Sequence, residues 1–255
     1  MKRGGLKGRL LIGLVIAAFF LIKHFMSRET NPYTGKVQAI SMTTDEEIQM
    51  GLASRDQMAS QHGGLYPNEQ YQTLVDNVGN KLVNNSIAKN TPYLYEFHLL
   101  ADENTINAFA LPGGQIFITY ALFSQLKNED QLAGVLGHEI GHVLGKHSAE
   151  RIANSKMWQG LSTAGSVGAD MGSLINQIGN GTLLKNGRGD ELESDELGVR
   201  FMMRSGYDPK ELIGVMQILK DAAGPNRQPE FASSHPDPDN RMEKIREAIE
   251  KYRRH

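Results

Sequence analysis

The chain is 255 residues long, 40% hydrophobic and 22% charged, with a formal net charge of −2, which is enough for one packed domain carrying a small appendage. The near balance of acids and bases gives no electrostatic reason to bind nucleic acid or another polyanion. Cysteine is absent, which excludes disulfides, thiolate metal sites and cysteine nucleophiles, so any metal must be held by His, Asp or Glu.

At the N-terminus, Lys2, Arg3, Lys7 and Arg9 precede the apolar run LLIGLVIAAFFLI, Leu10 to Ile22, which Lys23 closes. An apolar stretch of this length matches the core of a signal peptide and falls short of the roughly 20 residues a spanning helix needs. However, the flank KHFMSRET lacks a small-x-small cleavage pair, and Lys7, Arg9, Lys23 and His24 can snorkel to extend the span from Leu6 to Met26. Residues 1–26 are therefore read as an uncleaved anchor, with a cleaved leader and a secreted protein as the alternative. The basic flank stays in the cytoplasm and places residues 27 onward across the membrane, in a bacterium on the periplasmic side of the inner membrane. Residues 27–42 contain Pro and Gly without an apolar period and read as a linker. A folded domain is expected over residues 43–255.

Within that domain, TTDEEIQMGLASRDQMASQ and NEQYQTLVDNVGNKLVNNS carry capping residues and helical apolar spacing. YEFHLLAD and QIFITYAL, separated by an NAFALPGG corner, read as two strands of a small antiparallel or mixed sheet. The segment from Gly160 to Gly189 is rich in Gly, Ser and Ala. Asp170, Asn176 and Asn180 interrupt it, so it reads as an excursion or lid, not a second span. The fold class expected is α+β, mostly helical.

The chemistry concentrates in EDQLAGVLGHEIGHVLGKHS. Leu132, Val135, Leu136 and Ile140 fall at helical spacing, so the HExxH lies on a helix. Residues four apart differ by about 40° around the axis, so His138 and His142 project from one face toward a single ion. Glu139, about 100° round from His138, sits beside that ion, where its carboxylate can take a proton from water. Hydrolysis needs a third protein ligand and one open position. His147 does not fit the longer HExxHxxGxxH pattern, which would place a histidine where Ser148 stands. On a continuing helix it points away from His138, and it reads as a surface or supporting histidine. In RGDELESDELGVRFMMRSGY, Glu191 and Asp195 stand four apart on a helical segment. Glu191 can complete a His, His, Glu set while Asp195 orients a ligand imidazole. Spacing alone does not choose Glu191 over Glu193, and an acidic helix start is equally compatible with a solvated face.

The ordered set HEIGH, ELESD and SSHPDPDNR, with NAFALPGGQIFITYAL before it, resembles the HtpX-like and CAAX-prenyl-protease-like zinc metalloproteases, metallopeptidase family forty-eight, over residues from about Thr43 onward. The resemblance implies a zincin-like domain binding one zinc ion. His138, His142 and Glu191 would be its ligands, Glu139 the general base, Asp195 a partner to a ligand imidazole, and His235 a residue near the cleft that stabilises an oxyanion or gates the open position. An extended peptide pairing with the strand at Gln115, Ile116, Phe117 and Ile118 would select unfolded segments. The expected activity is a membrane-anchored zinc endopeptidase acting on unfolded or misfolded envelope proteins. Two alternatives remain: a latent or non-catalytic module that binds unfolded polypeptide, and a zinc hydrolase acting on a non-peptide bond. A single N-terminal apolar segment, set against the multi-span prenyl proteases, argues against a lipidated substrate.

Overall fold

The computed structural model describes residues 4–168, 187–222, 235 and 240–253. Most of the Gly160 to Gly189 excursion, including Asp170, Asn176 and Asn180, lies outside the described residues, as does Asp239. The chain forms two compact units, residues 1–43 with 149–185 and residues 44–148 with 186–255.

The smaller unit holds helix α1 (Gly4–Met26) and an antiparallel hairpin of β1 (Arg28–Thr30) and β2 (Val37–Ala39). It also holds most of helix α6 (His147–Gly168). From Lys7 to Met26, α1 is long and apolar enough to cross a membrane, a test that a signal sequence also passes. Leu10, Leu11, Leu14, Val15, Phe19 and Phe25 are exposed along it. The segment read as a linker contains the hairpin. Its turn is built on Asn31, whose Oδ1 accepts from the Tyr33 and Thr34 amides at 2.8 and 3.2 Å, with Gly35 at a φ of 77°. Gln38 then donates to Glu150 on α6 at 2.8 Å, which fastens the hairpin to that helix.

The larger unit is a mostly helical α+β domain. Its elements are α2 (Thr44–Gln61), α3 (Glu69–Asn84), β3 (Glu96–Leu100), β4 (Ala108–Ala110), β5 (Gln115–Thr119), the one-turn α4 (Tyr120–Phe123), α5 (Glu129–Leu144), α7 (Arg188–Arg204), α8 (Glu211–Ala222) and α9 (Arg241–Arg253). The strands make a mixed sheet of order β3-β5-β4, with β5 parallel to β3 and antiparallel to β4. β4 falls in the stretch read as a corner, being too short to show a period. Helix α5 starts on Asn128, whose Oδ1 caps the Gln131 amide at 2.9 Å, and Glu129 and Asp130 complement its dipole. From Gln131 to Leu144 every residue of α5 is buried, as expected for a central helix apolar all round. It packs against the sheet, α3, α7 and α8. Phe117, Leu99, Leu136, Ile140, Leu144 and Phe201 are fully buried in this core, and each contributes about 1.5–3 kcal/mol by leaving water.

The expectation that Gln115, Ile116, Phe117 and Ile118 offer a strand edge to a peptide is corrected here. β5 is the central strand, hydrogen-bonded on both sides, and all five of its residues are buried. A β-branched and aromatic run buried on both faces is what a central strand requires. Gln115 is spent inside the fold, its Oε1 against His98 Nε2 at 2.9 Å. The outer side of β3 is also occupied: Gln72 of α3 bonds the Phe97 carbonyl and the Leu99 amide at 2.8 and 2.9 Å, and Tyr66 N donates to Leu99 O at 2.8 Å. Among the described residues no strand pairs with the outer side of β4.

Candidate metal centre

The site is built where α5 and α7 touch, and glycines let them touch closely. A methyl group on Gly141 would lie 2.9 Å from both Cα and O of Ser194, and one on Gly198 would lie 3.2 Å from the His138 amide nitrogen. Gly137 faces Gly198 across the same seam. Along α7, Glu191, Ser194, Asp195 and Gly198 recur at helical spacing and are buried, so this face of the acidic stretch points inward, toward the histidines.

Three residues expected to act together are brought together. His138 Nε2 and His142 Nε2 are 2.9 Å apart, and Glu191 presents Oε2 to the first at 3.3 Å and Oε1 to the second at 3.4 Å. His235 joins them: its Nδ1 is 3.3 Å from His138 Nε2, 3.2 Å from His142 Nε2 and 3.1 Å from Glu191 Oε1. All four are buried, and each offers one ligand atom within 4.8 Å of the others. Three ring nitrogens and a carboxylate cannot satisfy one another by hydrogen bonding alone, because His138 and His142 each have a further partner that fixes the proton.

His138 Nδ1 lies 2.8 Å from Asp195 Oδ1. Asp195 is held ionised by Arg241, whose Nε and Nη2 donate to it at 2.6 and 2.9 Å. An ionised carboxylate only accepts, so the neutral form of His138 carries its proton on Nδ1 and aims the Nε2 lone pair into the cluster. His142 is oriented by a second chain. His147 Nε2 is 2.8 Å from Glu193 Oε2, and His147 Nδ1 is 2.8 Å from His142 Nδ1. His147 donates to the Glu193 carboxylate from Nε2, so its Nδ1 accepts from His142 Nδ1–H, and the His142 Nε2 lone pair also faces the cluster. This donor set of bare imidazole nitrogens and a carboxylate is suited to a borderline metal ion such as zinc.

Glu139 supplies a second sign of fit. It is fully buried, neither carboxylate oxygen has a hydrogen-bond partner among the described residues, and Oε1 is 3.8 Å from His235 Nε2. A buried acid with no donor is costly, and burial pushes its carboxyl above the ordinary range. Such a group belongs beside a water or substrate proton. The neighbouring groups are tuned by each other. For His138, burial opposes the charge, but Asp195 and Glu191 outweigh it and push the imidazole up to about 9. Burial holds His142 well below its usual value. Burial would raise Glu191, yet His235, His138 and His142 hold it well below the carboxylate range.

Of the residues expected at the site, only the β5 set lies elsewhere. Arg241 was not among the expected residues, and His147, read as a surface or supporting histidine, is a buried supporting one, although the helix assumed to carry it is not a continuation of α5. Helix α5 ends at Leu144 and does not continue. Lys146 takes a φ of 54°, and α6 begins at His147, folding that ring back against His142 with no exposure. Gly145 makes room for it: a methyl there would collide with the His147 ring. Arg241 is 2% exposed, and the signal that could have found it is an arginine six residues after His235, with an acid-rich helix in need of a cation.

The fold and the cluster define a zincin-like metal-dependent hydrolase. Residues 69–249, well over half of the chain, match Peptidase family M48, and the chain belongs to that family of metalloendopeptidases. It is similar to the Beta-barrel assembly-enhancing protease of Yersinia pestis, 30% identical over 237 residues, covering 88% of this chain and 48% of that one. The same protease of Escherichia coli strain K12 is 30% identical over 243 residues, with 89% and 48% covered. The Mitochondrial metalloendopeptidase OMA1 of Schizosaccharomyces pombe is 28% identical over 231 residues, with 89% and 68% covered. The chain thus spans about half the length of the bacterial relatives.

Proposed function

We propose that this chain is a membrane-anchored zinc endopeptidase that cleaves unfolded or misfolded envelope proteins, with α1 as the anchor and the larger unit on the periplasmic side of an inner membrane. The observation that carries the reading is the convergence of His138, His142 and Glu191 beside a buried Glu139 carboxylate that has no donor among the described residues. The envelope is supported by the names of the bacterial relatives, and the anchor by the length and exposed apolar surface of α1.

His138, His142 and Glu191 would hold the zinc, which when bound lowers the pKa of water and polarises the scissile carbonyl. Glu139 takes the proton of the attacking water and passes it to the departing amine nitrogen, so no covalent enzyme intermediate forms. Asp195 and Arg241 keep the His138 tautomer correct, and His147 with Glu193 does so for His142. An extended substrate would pair with the outer side of β4, Ala108–Ala110, in place of the β5 edge that the fold does not offer. Backbone pairing of this kind favours unfolded segments over folded surfaces.

A second reading, latency, is favoured by one observation: His235 Nδ1 sits among the ligand atoms at 3.1–3.3 Å and would fill the position that water needs. In that state the chain is closed, and turnover requires His235 to withdraw. The test uses the full chain in detergent, with bound metal quantified and unfolded casein cleavage assayed for the wild type, Glu139→Gln and Glu191→Ala. The proposal expects zinc near one per chain, retained in Glu139→Gln with activity lost, and weakened in Glu191→Ala. Tight zinc with no cleavage in the wild type favours latency, and a folded wild type that binds no metal refutes both.

A further inference from the structure

The smaller unit contains a cavity of about 400 Å³ between α1 and α6, lined by Phe20, Lys23, His24, Ser41, Lys156 and Met157 among others. It exists because two glycines bring the helices together. A methyl on Gly13 would lie 2.9 Å from the Ala164 carbonyl oxygen, and one on Gly160 would overlap the Phe20 ring. Close approach through small residues is how helices pack within a bilayer, and on the α1 side the cavity is lined by Phe20 and residues after it.

The lining has a consistent sign. Among the described residues it contains no carboxylate. Neither Lys23 nor Lys156 forms an ion pair among the described residues. His24 Nδ1 and Ser41 Oγ are buried without a hydrogen-bond partner among the described residues, an arrangement that costs free energy unless a ligand completes it. Ser27, by contrast, is spent on the helix end, its amide and hydroxyl reaching the Lys23 and His24 carbonyls, so the α1 C-terminus presents little bare carbonyl to repel an anion. Two ammonium groups and two unspent polar atoms thus face one space, while Phe20, Met157 and Ala153 supply an apolar wall.

We propose that this cavity binds the phosphodiester headgroup of an anionic glycerophospholipid. Lys23 and Lys156 would pair with the phosphate, Ser41 and His24 would hydrogen-bond to it or to the glycerol oxygens, and the apolar wall would take the first carbons of the chains. The lipid source follows from position: Lys23 and His24 close the segment long enough to span a bilayer, which puts them at headgroup level. The inference rests on α1 being a retained span. It adds to the protease reading a lipid contact made by the helix that leads directly out of the HExxH corner.

The test uses Trp158, the single tryptophan, beside Met157. The full chain is reconstituted into phosphatidylcholine vesicles containing phosphatidylglycerol, with bromine on the chains of one lipid or the other, and tryptophan quenching is compared at equal bromine content. Brominated phosphatidylglycerol is expected to quench in excess of brominated phosphatidylcholine. Lys23→Gln and Lys156→Gln should each weaken the apparent preference about fivefold, the effect of one basic charge near a membrane surface. Both variants should keep the wild-type tryptophan emission and casein activity, which shows that they fold. Equal quenching by the two lipids in floated vesicles overturns the proposal while leaving the span intact, as does a preference that survives both substitutions. Loss of the preference on adding inorganic phosphate assigns the site to a free anion and rejects the lipid. A chain that does not float with the vesicles refutes the span itself, a failure separable from that of the headgroup site and from any result of the metal and casein assay.

Discussion

His147 decides the proton inventory of His142, although it is not placed to be a ligand of the same cluster. It also lies near Asp190 and Glu193, a grouping that could hold a metal of its own. The two uses exclude one another. If His147 Nε2 gave its lone pair to a metal, its Nδ1 would carry a proton for His142 Nδ1 at 2.8 Å, and His142 would then be protonated on the nitrogen that faces the cluster. The hydrogen-bonded chain of Glu193, His147 and His142 is self-consistent without such an ion. Replacing His147 with Leu should lower zinc affinity about 10–100-fold, the range for lost partners of a ligand imidazole. His147→Gln, which still accepts from one side and donates to the other, should recover most of it. Competition titration with a chromogenic chelator measures both, and equal affinity in the Leu variant would show that His147 only fills space.

At the scale of elements, the site depends on how closely α5 approaches α7. Gly141, one of the two unspecified positions inside HExxH, faces Ser194 with no room for a methyl group. Gly141→Ala should separate the helices, destabilise the fold by about 1–3 kcal/mol as overpacking does, and weaken metal binding because Glu191 rides on α7. Gly189 meets nothing within 4 Å, so Gly189→Ala should change stability by no more than about 0.5 kcal/mol. Urea midpoints of the two variants make the comparison, and equal midpoints would reject the seam. The corner after α5 is a second constraint. The left-handed Lys146 costs about 1–2 kcal/mol, and its ammonium is held at 2.8 Å by Glu47, itself bonded at 3.2 Å to Tyr93 OH. A buried pair thus keeps α2 against the turn that folds His147 back.

For the whole molecule, metal and proton compete for the same nitrogen. In the metal-free protein His138 is raised to about 9, above its unfolded value near 6.5. The stability this contributes is fully present below about 6.5 and is lost as pH rises through about 9. Zinc needs the neutral ring, so its apparent affinity should rise over the same window, and uptake near pH 7 should release a proton. The melting-temperature gap between zinc-loaded and metal-free protein is therefore expected to widen from pH 6.5 to 9. Calorimetry in buffers of different ionisation heat counts the proton, and a gap that narrows with pH would contradict the His138 assignment. On the acid side Glu191 and Asp195 both sit below the ordinary carboxylate range. Their contribution is present above about pH 4 and disappears as pH falls through their lowered values.

Much of the centre was legible because it is local. An i, i+4 pair on a helix shares a face whatever surrounds it, so His138, His142 and the offset of Glu139 follow from the helical period alone, and an apolar run flanked by bases announces α1 wherever the rest of the chain goes. The choice of Glu191 needed the resemblance, since Glu193 has the same chemistry. Tertiary structure separated them: Glu191 is on the inward face against the imidazoles, and Glu193 is one position pair round the helix, against His147. Local period also could not tell a central strand from an edge, because β5 reads the same either way and only its neighbours decide which sides are free. Nor could it show that α5 stops at Leu144, bringing His147 back to His142, or that Arg241, far along the chain, is the cation on which Asp195 depends. The sequence by itself determined the chemistry carried on one helix. Which distant groups complete it was decided only by packing, because those contacts are set by the meeting of surfaces and not by the spacing of residues.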